Sequence, residues 1–173
     1  EGVFLSNWST ADNALKLTQL GSDEGGGAGE VRAGKLAQPH DFFATVEPMH
    51  GNRLVLYRPQ RNSTGTLWVR RVLDETLVDG HGLACGDLLG LGRDQIVVGW
   101  RAMGGKPGTK VGIKLFTPTD AEGREWKQSL IDDNTMACED LALADLNGDG
   151  RLDIIAAGRS TKNLKVYFNE GAR

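Results

Sequence analysis

The sequence predicts an all-β fold of tandem antiparallel sheets, and three observations carry that prediction. Short β-branched runs, Ile96-Val97-Val98 and Ile154-Ile155 among them, stand between turn residues, with 24 glycines punctuating the chain and no sustained helical period. A phrase also recurs. Leu83-Ala84-Cys85-Gly86-Asp87-Leu88, followed by Gly90, Gly92 and Arg93, returns 58 residues later as Leu141-Ala142-Leu143-Ala144-Asp145-Leu146, followed by Gly148, Gly150 and Arg151. Finally, Arg53-Leu54-Val55-Leu56-Tyr57, Gly112-Ile113-Lys114-Leu115-Phe116 and Asn163-Leu164-Lys165-Val166-Tyr167 fall at matching places in three units, each an alternating strand that ends in an aromatic. Trp68 and Trp126 head a further matching pair of segments, again 58 residues apart. Four strands in a unit of about 50 to 60 residues is the arithmetic of a β-propeller of four-stranded antiparallel blades.

Taken in order, residues 1–30 are expected to hold the end of a preceding blade plus a Gly-rich linker. Its strands are Gly2-Val3-Phe4-Leu5 and Leu15-Lys16-Leu17-Thr18, and the linker runs from Gly21 to Gly29. Blade one is expected at 31–79, blade two at 80–134, and an incomplete blade three at 135–173, without a fourth strand. Closed propellers use about four to eight blades, so about three imply part of a larger ring or a homo-oligomer whose chains complete one another's sheets. An open β-sandwich is the competing architecture. Trp68 and Trp126 are expected to pack between neighbouring blades, Cys85 to be a small core residue, and His40, beside Asp41, to be structural.

The 173 residues are 39% hydrophobic and 25% charged, the make-up of an ordinary globular protein with room for a sizeable core. Twenty Lys and Arg against 23 Asp and Glu give a net charge of −3, which leaves no broad basic field for nucleic acid or an anionic membrane. No apolar run approaches the roughly 20 residues that span a bilayer, so membrane insertion is not expected. The N-terminus has neither the basic flank nor the apolar stretch of a signal peptide. Cys85 and Cys138 lack CxxC spacing, which argues against a zinc ribbon and a disulfide scaffold. No Ser-His-Asp order, phosphate loop or nucleotide fingerprint supports hydrolase, kinase or dehydrogenase chemistry.

One loop has the spacing of a cation site. In the run from Asp145 to Asp153, Asp145, Asn147, Asp149 and Asp153 put side-chain oxygens at positions 1, 3, 5 and 9, with the Arg151 carbonyl at position 7 and a turn at Gly150. Calcium takes about six to eight oxygens at about 2.3 to 2.6 Å, which such a loop can gather. An EF-hand would need Glu at position 12, where Ala156 stands. The sister run from Asp87 to Gln95 keeps only position 1, with Leu89, Leu91 and Gln95 in the other places, and is expected to hold no ion. The simpler reading of 145–153 is an Asx/Gly turn without metal.

Meander topology separates this loop from the remaining unusual residues. Loops joining first to second and third to fourth strands lie at one end; loops joining second to third strands, or one blade to the next, lie at the other. Glu47, His50, Trp100, Arg101 and Arg159 follow second strands, while His81 and Glu139-Asp140 precede first strands, so all should share the far face. Two histidines with carboxylates can hold Zn2+ or another transition metal, with His50 and His81 as ligands. They can equally supply acid–base chemistry, with His50, His81, Glu47 or Glu139 as base, Arg101 and Arg159 as oxyanion donors, and Trp100 stacking on a sugar. A solvated loop histidine is the plainer alternative.

The phrase Ala144-Asp145-Leu146-Asn147-Gly148-Asp149-Gly150-Arg151-Leu152-Asp153, with its imperfect copy at Cys85 to Gly99, resembles the FG-GAP/VCBS-repeat β-propeller family, which binds calcium in such loops. The likeness is strong over 135–171, fair over 80–134 and weaker over 31–79. A looser likeness, carried by Ala44 to Asn52, Gly80 to Ala84, Val97 to Arg101, Met136 to Asp145 and Ala156 to Tyr167, is to the propeller part of aldos-2-ulose dehydratase-type proteins, lyases of keto-sugars such as 1,5-anhydrofructose. The first resemblance implies a calcium-binding scaffold, carbohydrate-directed and extracellular or periplasmic, where calcium is plentiful. The second implies a metal-dependent carbon–oxygen lyase, a sugar dehydratase, acting on a small carbohydrate ligand.

Overall fold

The computed structural model describes residues 3–20, 27–37, 41–63, 65–103 and 106–171. His40 and most of the Gly-rich linker lie outside the described residues. Among those described there is no helix, and every strand pairing is antiparallel. None of the structure's helices is long and apolar enough to cross a membrane, since none is present in the described chain.

A hairpin of β1 (Phe4–Ser9) and β2 (Ala14–Gln19) comes first. Sheet one runs β3 (Glu30–Lys35), β4 (Asp41–Glu47), β5 (Arg53–Asn62) and β6 (Gly65–Asp74), each strand beside its successor. Sheet two repeats the meander with β7 (Gly80–Gly86), β8 (Gln95–Trp100), β9 (Gly112–Pro118) and β10 (Trp126–Asp133). Sheet three has three strands, β11 (Cys138–Ala144), β12 (Asp153–Gly158) and β13 (Asn163–Tyr167). The first strands lie side by side, with β7 between β3 and β11.

Side-chain alternation explains the stacking. In a strand, neighbouring residues point to opposite faces, so a strand apolar on both faces needs a partner on each side. In β5, Leu54 and Leu56 enter the core between sheets one and two, whereas Val55 and Tyr57 turn to the hairpin, meeting Leu20 and Leu5. In β8, Ile96 and Val98 share the sheet-one core while Val97 joins sheet three through Leu141 and Ile154. Full burial of a Leu or Val side chain is worth about 1.5 to 3 kcal/mol, and most of these are fully buried. Trp126 packs edge-on against Phe42 of sheet one, with ring centroids 5.5 Å apart, and so bridges neighbouring sheets. Trp68 stacks on Phe43 at 5.3 Å and belongs to the cluster beneath the hairpin. Cys85 does pack on the first core, and burial pushes its thiol up to about 12.

The third strands carry a second, polar tie. Lys114 of β9 reaches back to Asp74 at the end of β6, donating at 2.6 Å to Asp74 Oδ2 and at 2.6 Å to Thr76 Oγ1. One sheet later Lys165 of β13 meets Asp132 at 3.2 Å and Thr135, and the Tyr167 hydroxyl donates to the same Asp132 oxygen at 2.8 Å. The matching position in β5 is Val55, which faces the apolar hairpin where no such aspartate waits. Burial pushes Asp132 upward, but hydrogen bonds from Thr135, Tyr167 and Lys165 outweigh it and hold the carboxyl down at about 2. Asp74 is held below the usual carboxylate range for the same reason: burial opposes its charge, and Lys114 and Thr76 prevail.

Two outcomes follow from this tie. Lys114→Met strands the buried Asp74 charge and should destabilise the protein by about 3 to 5 kcal/mol, read by urea unfolding, because a buried ion left alone is worse than none. A loss under about 1 kcal/mol would mean that the pair adds little to sheet docking. The Asp132 value is lower folded than unfolded, so its stabilisation is complete above about pH 4 and vanishes as pH falls toward 2. Asp132→Asn should flatten the urea midpoint over that acid window, relative to the unsubstituted chain.

Candidate functional site

At the end of the stack opposite the 145–153 loop, one side chain organises the surface. Arg101 leaves β8 with only 9% of its side chain exposed. Its Nε donates to Asp79 Oδ2 at 2.9 Å, one terminal nitrogen to Glu139 Oε1 at 2.7 Å, and the other lies 3.3 Å from His50 Nδ1. A guanidinium only donates, so His50 Nδ1 accepts, and the proton of the neutral ring sits on Nε2. Burial works against the Arg101 charge, but Glu139 and Asp79 more than offset it and raise its pKa further. Glu139 is lowered: desolvation opposes its charge, and Arg101, His81 and Arg159 overcome that.

The backbone supports this arrangement. Arg101 N–H donates to the Asp79 carbonyl at 3.2 Å, and Ala102 N–H to Val78 at 2.9 Å, which ties the segment after β8 to the entry of β7. His50, Asp79 and Ala102 are non-glycine residues at φ of 56°, 58° and 53°, a left-handed region that branched or bulky side chains avoid. Such conformations concentrate where surrounding contacts dictate them. The His50 and His81 rings stack with centroids 4.7 Å apart and planes 28° from parallel. Glu30 at the start of β3 lies 3.9 Å from His81 Nδ1, and Arg159 lies 3.9 Å from Glu139 with 65% of its side chain exposed. Two buried polar atoms in this group, His81 Nδ1 and Glu139 Oε2, have no hydrogen-bond partner.

Five of the residues singled out from sequence thus meet on one face: His50, His81, Arg101, Glu139 and Arg159. Glu47 does not join them. Its Oε1 accepts from Thr45 at 2.7 Å and Tyr57 at 2.8 Å, its Oε2 from Arg70 at 2.7 Å, and burial followed by Glu47 itself pushes Tyr57 up to about 12. Trp100 is no sugar platform either. β8 continues through it, its ring is buried across Gly112, and its Nε1 donates to the Lys110 carbonyl at 2.7 Å. Arg101 has its donor fork occupied by protein, which makes it a positioning residue, while Arg159 keeps its fork toward solvent. Sequence reading missed Asp79 and Glu30. Asp79 stands two residues before His81, at the end of the inter-sheet loop that leads into β7, a place that could have flagged it.

The 145–153 loop is built around Asp145. Its carboxylate accepts from the backbone amides of Gly148, Asp149 and Gly150 at 2.7, 3.1 and 2.8 Å. Asp153, fully buried, accepts from Leu146 at 3.0 Å and Asn169 at 2.9 Å. Asn147 donates to Asp149 at 2.9 Å, and Arg151 pairs with Asp149 at 2.5 Å. The sister loop has the same skeleton, with Asp87 accepting from Leu91 at 2.8 Å and Gly92 at 2.7 Å, and Gln95 from Leu89 at 2.9 Å. Positions 1 and 9 therefore shape both turns, and Asn147 and Asp149 are oxygens that the turn does not require. Among the described residues no group of three or more His, Cys, Asp or Glu converges as a metal cluster would.

No protein-family model matches the chain, and no curated protein matches it.

Proposed function

We propose that the chain is a β-propeller segment of FG-GAP/VCBS type which binds a small hydroxyl-rich ligand, of carbohydrate class, on its imidazole–guanidinium face. The observation that carries this reading is the pair of buried, unpartnered atoms, His81 Nδ1 and Glu139 Oε2, beside an arginine already locked in place. A buried polar atom without a partner costs about 1 to 3 kcal/mol, which a ligand hydroxyl recovers by donating to Glu139 and meeting His81. A ligand offering acceptors alone would face the Glu139 charge unaided. Arg159, largely exposed, would supply the forked donor at the rim.

At the other end, calcium would be held by the oxygens of Asp145, Asn147, Asp149 and Asp153 with the Arg151 carbonyl, and would add rigidity to the turn. The support is chemical: Asn147 and Asp149 exceed what the turn needs, as the sister loop attests, and each carboxylate oxygen has lone pairs beyond the amides it accepts. Such a site suits an extracellular or periplasmic setting.

A second reading, a carbon–oxygen lyase of keto-sugars, draws on the stacked His50 and His81 beside the Arg101–Glu139 pair. One imidazole would take the proton next to a carbonyl while Arg159 steadies the oxyanion, and the imidazolium so formed would return that proton to the hydroxyl on the neighbouring carbon, so that its C–O bond breaks, water leaves and the C=C bond forms. Conversion of 1,5-anhydrofructose to a dehydrated product, lost in His81→Ala, would favour it over simple binding.

Saturation-transfer NMR with neutral mono- and disaccharides tests the binding reading. The unsubstituted chain should give ligand signals, and Glu139→Gln should weaken affinity about tenfold or more, the loss of one charge-assisted hydrogen bond. Absence of any saccharide signal from the unsubstituted chain would overturn it. For the loop, calcium added to EDTA-stripped protein should raise the melting temperature, and the Asn147→Ala/Asp149→Ala double variant should abolish that rise. Equal melting curves with and without calcium would refute the ion.

A further inference from the structure

On the imidazole–guanidinium face, acceptors outnumber the donors free to meet them. β7 lies between β3 and β11, so Glu30 and Glu139, near the starts of those two strands, flank His81. His81 Nδ1 and Glu30 Oε1 face each other at 3.9 Å, beyond hydrogen-bond reach, and Nδ1 is buried without a partner. Glu139 Oε2 is buried and unpartnered as well, although Oε1 of the same carboxylate takes Arg101 at 2.7 Å. A charge on His81 would help to hold Glu139 ionised, so the two side chains lie within each other's field. Asp140, next in the chain and exposed, accepts from the Leu141 amide at 2.9 Å, and no cation pairs with it among the described residues.

The nearby cations are already engaged. Arg101 gives Nε to Asp79 and its terminal nitrogens to Glu139 and His50, while Arg32 lies 3.3 Å from Glu30 Oε2 and donates to the Val31 carbonyl at 2.8 Å. Only a donor that serves several acceptors at once fills the remaining need. A hydroxyl has one proton to give, whereas a protonated primary amine has three and no lone pair to set against a carboxylate. Two acceptors 3.9 Å apart can both lie at about 2.8 Å from one nitrogen placed between them. The amine also brings positive charge to a place where two carboxylates approach one imidazole. A metal ion fits less well, since a hard divalent cation takes about six oxygens and among the described residues no three His, Cys, Asp or Glu groups converge.

We propose that the ligand of this face is an amino sugar, its ammonium held between His81 Nδ1 and Glu30 Oε1 with the third proton given to Glu139. The assignment rests on the carbohydrate reading above and narrows it to a cationic member of that class. His81 is then the tautomer protonated at Nε2, which leaves Nδ1 to accept. Arg101, balanced by Asp79, keeps Glu139 Oε1 and leaves Oε2 to the ligand. Entry displaces Arg159, which is 65% exposed and touches Glu139 only at 3.9 Å. Swung outward, its fork donates to the ring hydroxyls of the same ligand.

Backbone-amide NMR titrations of the unsubstituted chain with glucosamine, N-acetylglucosamine, glucose and n-propylamine test the assignment at about pH 7, where an amine of α-amino type is mostly protonated. Glucosamine should bind about tenfold or more tightly than glucose, and N-acetylation, which removes the charge and two of the three protons, should abolish that gain. Glu30→Gln should cut glucosamine affinity by about fivefold or more, with a smaller loss for glucose, and a circular dichroism melt of the variant separates lost binding from lost folding. Equal affinity for glucose and glucosamine overturns the amino-sugar assignment and leaves the carbohydrate reading intact. No binding of any of the sugars removes both. Binding of n-propylamine as tight as that of glucosamine also overturns the assignment, because the face would then read an amine without its sugar. So does a folded Glu30→Gln chain that binds glucosamine unchanged.

Discussion

Each interior sheet of this molecule must bury both faces, and the rest of the structure follows from that demand. Strand residues alternate, so Leu54 and Leu56 serve one interface while Val55 and Tyr57 serve the other, and a sheet that is apolar on both faces buries them only between two neighbours. The chain meets the requirement by repeating one meander and laying the copies face to face. Glycine enters where the sheets come closest: a Cβ at Gly99 would fall 2.4 Å from Cys138, and one at Gly82 would fall 2.6 Å from its sulfur. Cys138 sits in that pinch with its thiol pushed up to about 12 by burial, a packing residue without reactivity.

Polar groups are admitted into this apolar stack only where they are tied down. Lys114 and Lys165 each cross to the previous sheet and meet an aspartate that is also capped by a threonine. The first unit, facing the hairpin, replaces the lysine with Val55 and places the buried Glu47–Tyr57–Arg70 group nearby. Stacking also determines where function can reside. Because β3, β7 and β11 lie side by side, the first residues of these strands and the turn before β7 bring Glu30, Asp79, His81 and Glu139 together from three units distant in sequence. Arg101 then converts proximity into order by bonding to Asp79, Glu139 and His50 at once.

The all-β class and the recurring four-stranded meander were legible because hydrophobic period and turn chemistry repeat together in the sequence. The gathering of His50, His81, Arg101, Glu139 and Arg159 was legible for a topological reason, since an antiparallel meander sends alternate loops to alternate ends. What sequence could not give was the side to which a residue turns at the end of a strand. Glu47 and Trp100 both close their strands, and one more paired residue in each strand directs them inward, into a hydrogen-bonded pocket and across Gly112 respectively. Bulges between Gly80 and Leu83 and between Cys138 and Asp140 shift the side-chain sequence again where the cluster forms. Asp79 escaped notice because its role depends on a left-handed backbone that nothing in its neighbours' identities specifies.

Hydrogen exchange resolved by strand tests the governing constraint most directly. If burial on both faces sets local stability, amides of β8 and β9 in sheet two should exchange only through global unfolding, while those of β13 and of the β1–β2 hairpin, covered on one face, should exchange far sooner. Protection in β13 or the hairpin equal to that in β8, measured at concentrations where the chain is monomeric, would contradict the account.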